Sequence, residues 1–423
     1  MKSLFRMALV STALMSFASI ASAAETVVWW DFLGGGDGVR MKKLISDFNA
    51  EHAGQIEIQG TTLDWGVPFY TKVQTSAAVG EGPDVMTYHA SRIPLAVSQG
   101  SLSEITDEDY AAMGLGPDSF AKETYEAVQV DGKKYAVPFD THPIVLYYNK
   151  DKLEAAGLIG EDGLPTGLDG VENFAAALQK LKDGGTTYGV STTTADGSFS
   201  FRTIYSMLCQ QNGTLGTDGA WLEGDNLDKL EKSVQVIADW VKNGYAPEYT
   251  DYPTNVALFT SGEAAMMING VWEVPTMADL EEQGKLFNWG AIELPVFFDR
   301  PCTYADSHAF AIPNNVGKTP TPEKKAAVQQ VIKWMSEHSL FWATAGHIPA
   351  NAAVQASEEY KAMQPQATYA KLTANQVFDP KSPNAGVASP LFDAAGNAFT
   401  AAMNNEVDAR TAVEEMKAAL EAL

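Results

Sequence analysis

The side chains in this chain best suited to chemistry are aromatic. There are 9 Trp, 15 Tyr and 19 Phe. Trp30, Phe32, Trp65, Tyr88, Trp272 and Phe392 fall at predicted strand ends or in loops. A flat ring stacks on the apolar C–H face of a pyranose, and Asp, Glu, Arg, His and Asn bond its hydroxyls. Aromatic faces beside such polar groups are what a sugar-sized cleft requires. Signatures of catalysis are missing: there is no GxSxG, HExxH, Walker A or kinase-like run. Among 53 acidic residues a carboxylate pair is found anywhere, so the sequence does not single out a glycosidase. Gly34-Gly35-Gly36-Asp37-Gly38 follows a predicted strand and precedes a predicted helix, a place that binds anions through backbone N–H groups. Val39 and the lack of a third glycine depart from the dinucleotide fingerprint, so a loop beside a cleft is expected there. The expectation is a binding protein with no catalytic residue, metal or cofactor.

The chain of 423 residues is long enough for two lobes. Its 29 basic and 53 acidic residues give a formal charge of −24. Such a surface repels phosphate backbones and anionic lipid, which argues against nucleic acid as a partner. The acids are spread along the chain, as in a surface that keeps a protein soluble. Residues 1–23 read as a cleavable secretory signal. Lys2 and Arg6 precede the apolar stretch Met7 to Ile20, and Ala21-Ser22-Ala23 is a small-x-small cleavage site. Losing that segment removes two basic residues and no acidic one, so the charge becomes −26. No later run is long and apolar enough to span a bilayer. A soluble protein outside the cytoplasm, in the periplasm, is expected. Cys209 and Cys302 are 93 residues apart, without CxxC or zinc spacing. The exported space permits a disulfide, but two separate buried thiols are expected.

The elements that would hold these groups alternate between strand and helix. Thr26–Phe32 is β-branched and aromatic, a buried strand. Met41, Leu44, Ile45 and Phe48 make one apolar helix face. Gln55–Gln59 and Pro83–Tyr88 are strands with a helix around 69–79 between them. This alternation predicts an α/β lobe with a mostly parallel sheet. The middle of the chain repeats it. Ile144–Asn149, Tyr188–Thr192, Ala264–Ile268, Trp289–Leu294 and His308–Ile312 read as strands. Helix faces run through Val171, Phe174, Leu178 and Leu181, through Leu230, Val234, Ile237 and Val241, and through Val328, Val331, Ile332 and Met335. From Ala352 onward the chain reads as helices and loops, ending on Val413, Met416 and Leu420. No flexible linker separates two lobes, so the chain is expected to cross between them more than once.

One segment narrows the reading further. Phe259-Thr-Ser-Gly262-Glu-Ala-Ala-Met266-Met-Ile-Asn269-Gly270-Val-Trp272 resembles the signature of the extracellular solute-binding proteins of carbohydrate ABC importers. It is very similar to the matching segment of maltose-binding protein. Leu146–Asp151, Gly82-Pro83-Asp84-Val85 and Gly346-His347-Ile348-Pro349-Ala350 fit the same family in order. The resemblance implies a periplasmic-binding type II fold, two α/β lobes hinged around a ligand cleft. The lobes would be 24–140 plus 306–343 and 144–296 plus 350–423. Crossings would lie near Asp140–Ile144, Pro295–Asp306 and Thr344–Ala350. The partners implied are a carbohydrate and the membrane permease of an ABC transporter, and the protein would act as a monomer. Rival ligands are a polyamine or glycerol phosphate, and the rival class is a secreted glycosidase or lyase.

Carried over residue by residue, Trp272 matches the family's sugar-stacking Trp. Tyr88 falls where relatives place an aromatic contact, and Arg92 matches an Arg that bonds hydroxyls. His142 stands where maltose-binding protein has Glu, and a His can donate where a Glu only accepts. Phe392 sits near a second stacking position. Phe32 and Asp37 lie on the first strand-to-helix loop, and Asp64 and Trp65 on the next. Asp306 and His308 flank the second crossing, and His347 lies at the third. Phe201 and Arg202 are weaker candidates.

Overall fold

A computed structural model describes residues 24–423. The secretory signal expected at residues 1–23 lies outside them. The described chain forms two α/β lobes, each built on one sheet. Within the described residues no helix is long and apolar enough to cross a membrane.

The first sheet has the order Ile56–Thr62, Glu25–Asp31, Val85–His89, His308–Ala311, Ala136–Pro138. Its first three strands are parallel, as strand–helix–strand alternation requires. His308–Ala311 enters antiparallel from far along the chain. The core of this lobe gathers Trp29, Phe48, Phe69, Val85, Phe310, Val331 and Trp342. Full burial of each such side chain is worth about 1.5–3 kcal/mol.

The second sheet departs from the parallel pattern expected of it. Its centre is Asp140–Asn149, and every residue of that strand is buried. Ala264–Gly270 and Trp289–Glu293 flank it on either side, both antiparallel. Tyr188–Ser191 adds a parallel partner beyond Ala264–Gly270. The apolar run Ile144–Asn149 is only the second half of the central strand. Its polar first half, Asp140 to Pro143, pairs antiparallel with Thr303–Asp306 and with Ile348–Pro349. Three chain segments thus run side by side between the lobes, joined by backbone hydrogen bonds. Apolar patterning alone missed Asp140–Pro143, because its polar side chains are satisfied largely by distant residues such as His308, Trp342 and Gln376.

Two other expectations are corrected. Gly35, Gly36, Asp37 and Gly38 are not loop. They form the first turn of the helix Gly35–Glu51, with Gly34 as its N-cap. Glycine tolerates this tight entry and lets the other lobe approach. A Cβ on Gly36 would sit 2.3 Å from the Cβ of Pro275. Cys209 and Cys302 are not separate thiols but a disulfide, with Cα atoms 5.9 Å apart. The helix Gly197–Gln210 packs on the strand Thr303–Asp306, and the Ser206 hydroxyl accepts the Tyr304 N–H at 2.7 Å. That packing brings both cysteines within bridging range, which a separation of 93 residues conceals.

Candidate functional site

Between the lobes lies a cavity of ≈ 1020 Å³. It is large enough for a sugar of several rings' breadth or a comparable polar ligand. Strand ends and helix starts supply its lining, because side chains there leave the layers that make the cores.

Trp272 follows the buried strand Ala264–Gly270 on one turn of 3₁₀ helix. Its ring folds back over Gly270. Any Cβ at 270 would lie 2.1 Å from that ring, so the Asn-Gly-Val-Trp spacing sets the ring's position. The indole N–H donates to the Tyr252 hydroxyl at 2.8 Å, and that hydroxyl bonds Glu273. Phe199 meets both Trp272 and Tyr252 edge-on. Burial raises the Glu273 carboxyl above the usual range. Opposite this wall, Phe32 stacks on His89, with centroids 4.4 Å apart and 8° between planes. Trp65 stands at the rim, 53% exposed. The backbone at Gly34, Gly35 and Gly36 opens the helix N-terminus to the same space.

Arg202 reaches the cavity from the helix Gly197–Gln210, whose N-cap Asp196 accepts from Ser198 and Phe199. Its guanidinium lies 4.9 Å from the Phe392 ring, 5.3 Å from Phe199 and 5.8 Å from Tyr304. Among the described residues it makes no ion pair. Its one hydrogen bond, to the Ser198 carbonyl, is long at 3.4 Å. Nearby Asp379 is pushed up to about 7 by burial and by Asp306.

The floor of the cavity is a knot of histidines around Asp140, which is wholly buried. Oδ1 of Asp140 accepts the His308 backbone N–H at 2.9 Å and faces His142 Nδ1 at 3.1 Å. Oδ2 faces His308 Nδ1 at 2.9 Å and accepts the Trp342 indole N–H at 2.7 Å. His347 Nδ1 is 3.3 Å from the same oxygen, and His347 Nε2 is 3.1 Å from Asp37 Oδ2. Burial alone would raise the Asp140 carboxyl, but His308 and His347 overcome it and hold it well below the usual range. Burial, then His308, pulls the His142 imidazole down to about 3. Burial likewise lowers His89 well below its ordinary value. His347 is also buried, yet Asp37 and Asp140 on its two sides raise it.

Among the described residues, Asp140, His142, His308 and His347 are one of two groups whose donor atoms converge closely enough to hold a metal ion. The other is His89, His142 and Asp306. In the first group the His142 and His308 ring nitrogens hydrogen-bond the one carboxylate, while His347 Nδ1 lies 3.3 Å from it without a hydrogen bond to it.

The residues singled out in the sequence therefore separate. Phe32, Asp37, Asp64, Trp65, His142, Trp272, Asp306, His308 and Phe392 all line the cavity. Asp306 is already engaged, accepting from Ser91 and from the Ser307 N–H. His347 is buried behind the floor rather than lining it. Tyr88 and Arg92 face elsewhere, onto a small neighbouring cavity of ≈ 80 Å³. Arg92 stacks there on Tyr70 and donates to the Ala388 carbonyl. Trp30 is outside the cavity, beside Lys72. Phe201 is fully buried core. His89, Phe199, Tyr252, Glu273 and Tyr304 also line the cavity without any sequence signal, and Arg202 carries only a weak one.

A family model described as bacterial extracellular solute-binding protein matches residues 43–374. The galactooligosaccharide-binding protein of Bacillus subtilis is 25% identical over 302 residues, which is 66% of this chain and 62% of that protein. The chain thus spans less than two thirds of that relative. A maltooligosaccharide ABC transporter solute-binding lipoprotein of Streptococcus pneumoniae is 25% identical, over 79% of this chain and 75% of that protein. In fold, the chain is similar to the GacH receptor of Streptomyces glaucescens, solved unliganded and with acarbose. The TM-score is 0.78 at 18% identity, covering 94% of this chain and 98% of that one.

Proposed function

The chain belongs to the bacterial extracellular solute-binding proteins, and from that premise we propose that it binds a sugar between its lobes for an ABC importer. The observation that carries this reading is the lining of the cavity. Rings of Trp272, Phe199, Tyr252, Phe32 and Phe392 offer apolar faces. Asp37, Asp64, Glu273, His142, His308 and Arg202 offer hydrogen bonds among them. A carbohydrate has both kinds of surface on one molecule. The names of the two relatives agree with this class of ligand.

In this reading residues 24–140 plus 306–343 form one jaw and 144–296 plus 350–423 the other. The three paired segments at Asp140–Pro143, Thr303–Asp306 and Ile348–Pro349 are the hinge. Ligand favours the closed form only by its differential affinity for that form. The closed form, a monomer, then docks on the permease. Residues 1–23 direct export and are removed. The protein binds and releases its solute without turnover.

A phosphate ester fits the cavity less well. Among the described residues its lining holds six carboxylates against the single guanidinium of Arg202, and no lysine. A thermal-shift screen over mono- and oligosaccharides, a polyamine and glycerol phosphate decides the matter, because bound ligand raises Tm by mass action. Shifts with sugars are expected. A shift with the polyamine or the phosphate ester alone overturns the proposal, as does turnover of any oligosaccharide.

A further inference from the structure

The histidines on the floor of the cavity are fixed from behind. His142 Nδ1 and His308 Nδ1 both face the carboxylate of Asp140, at 3.1 and 2.9 Å. An ionised carboxylate is an acceptor only. Each of these nitrogens must therefore carry the hydrogen. Among the described residues the Nε2 atoms of the two rings have no partner, and both rings line the cavity. The rings lie 4.3 Å apart and tilt by 32°. Both are tethered to one carboxylate through Nδ1, so their Nε2 atoms leave it side by side.

The charge of the knot argues the same way. His347 stands between Asp140 and Asp37, with a carboxylate oxygen near each ring nitrogen. Its Nε2 is in hydrogen-bonding geometry with Asp37, whereas Nδ1, 3.3 Å from Asp140, makes no hydrogen bond among the described residues; the two carboxylates still favour the imidazolium through space. Its ring centroid is 5.7 Å from that of His142 and 5.3 Å from that of His308. Further imidazolium charges at those distances would repel it and one another.

We infer that Asp140 locks His142 and His308 as neutral Nδ1–H tautomers, so that their Nε2 lone pairs form a pair of acceptors on the floor of the cleft. This deepens the sugar-binding reading and rests on it for the identity of the ligand. The floor would take two neighbouring hydroxyls that donate. It would reject a carboxylate or phosphate at that position, since such a group can only accept. Selection of neutral over acidic sugars would thus be set by Asp140, a residue that does not line the cleft. In that capacity Asp140 is a positioning residue, and His142 and His308 are the contacts.

The test needs no ligand. Long-range ¹⁵N–¹H correlation spectra of the ligand-free protein at neutral pH report which nitrogen of each ring is protonated. His142→Gln and His308→Gln spectra assign the signals. Nδ1 protonated and Nε2 unprotonated in both rings is the expected result. Nε2–H in either ring, or an imidazolium at either, overturns the inference. So does loss of the Nδ1 protons on adding one equivalent of Zn²⁺, which would make the knot a metal site. In Asp140→Asn the amide can accept from only one side and donates from the other, so one ring should switch to Nε2–H. Two unchanged rings in a folded Asp140→Asn protein overturn the assignment to Asp140. If that variant does not fold, the wild-type spectrum still decides. Failure of the sugar reading would appear in the thermal-shift screen and leave these spectra unchanged, so the two are separable.

Discussion

The Nε2 of His347 lies 3.1 Å from Oδ2 of Asp37, a residue 310 positions earlier in the chain. Asp37 is in the first turn of the helix Gly35–Glu51, and His347 directly precedes the strand Ile348–Pro349. The contact joins the start of one lobe to the segments that run between the lobes. Burial opposes charge on His347, but Asp37 and Asp140 raise its pKa. A His raised in the folded state adds stability that is complete below the unfolded value of about 6.5 and fades as pH rises through the folded value. His347→Gln should therefore cost most below about pH 6.5 and progressively less above it. Urea unfolding of both proteins across pH measures the gap, and a gap independent of pH would contradict the assignment.

His142 should act in the opposite sense. Its folded pKa, pulled down to about 3 by burial and then by His308, is below the unfolded value. The unfolded chain then binds a proton that the folded one does not. Stability falls as pH drops from about 6.5 toward 3, by up to about 1.4 kcal/mol per unit for this one group. His142→Gln should flatten the acid limb of stability against pH by about one proton. An unchanged limb would show that His142 is not held neutral.

Trp272→Ala should weaken sugar binding by about 2 kcal/mol, the loss usual for a central aromatic contact. The ring is only partly buried and rests over Gly270, so the fold should survive its removal. Calorimetric titration with the sugar that gives the largest thermal shift is the measurement. Equal affinity in the variant would dismiss stacking at this position.

Arg202 is buried without an ion pair among the described residues, a costly state for a charge. Arg202→Met keeps the contact with Phe392 and Phe199 and removes that cost. The ligand-free variant should melt no lower than the wild type, while its sugar affinity falls at least tenfold, about 1.4 kcal/mol. A lower melting point with unchanged affinity would make Arg202 structural.

The Cys209–Cys302 bridge closes a loop of 93 residues. On the chain-entropy estimate its removal costs about 4.6 kcal/mol. Cys209→Ser with Cys302→Ser should melt well below the wild type, and reductant should lower the wild type alone. Equal melting points would leave the bridge without a stabilising role.

The residues legible in advance were those whose own segment determined their place. Phe32, Asp37, Trp65 and Trp272 sit at ends of strongly patterned elements, and the end of such an element is readable from its period. Arg202 and Phe199 were harder because their helix is buried on nearly every side. Thirteen of its fourteen residues are buried, Ser, Thr, Gln and Arg among them, so no single apolar face marks it. Tyr88 is on a readable strand, yet it faces the smaller cavity beside Arg92.

By itself the sequence determined the strand–helix alternation, the helix faces, the two-lobe expectation and the ring at Trp272. The alternation and the helix faces follow from local period, the two lobes from length and alternation, and the ring at Trp272 from the resemblance of one segment to its family. Only the tertiary structure decided that Cys209 meets Cys302, that the second sheet is built antiparallel around Asp140–Asn149, and that four histidines and Asp140 share the base of one cleft. Each of those joins segments tens to hundreds of residues apart. Their polar side chains carry no hydrophobic period, and their pKa shifts, up at His347 and down at His142, arise from neighbours that only folding supplies.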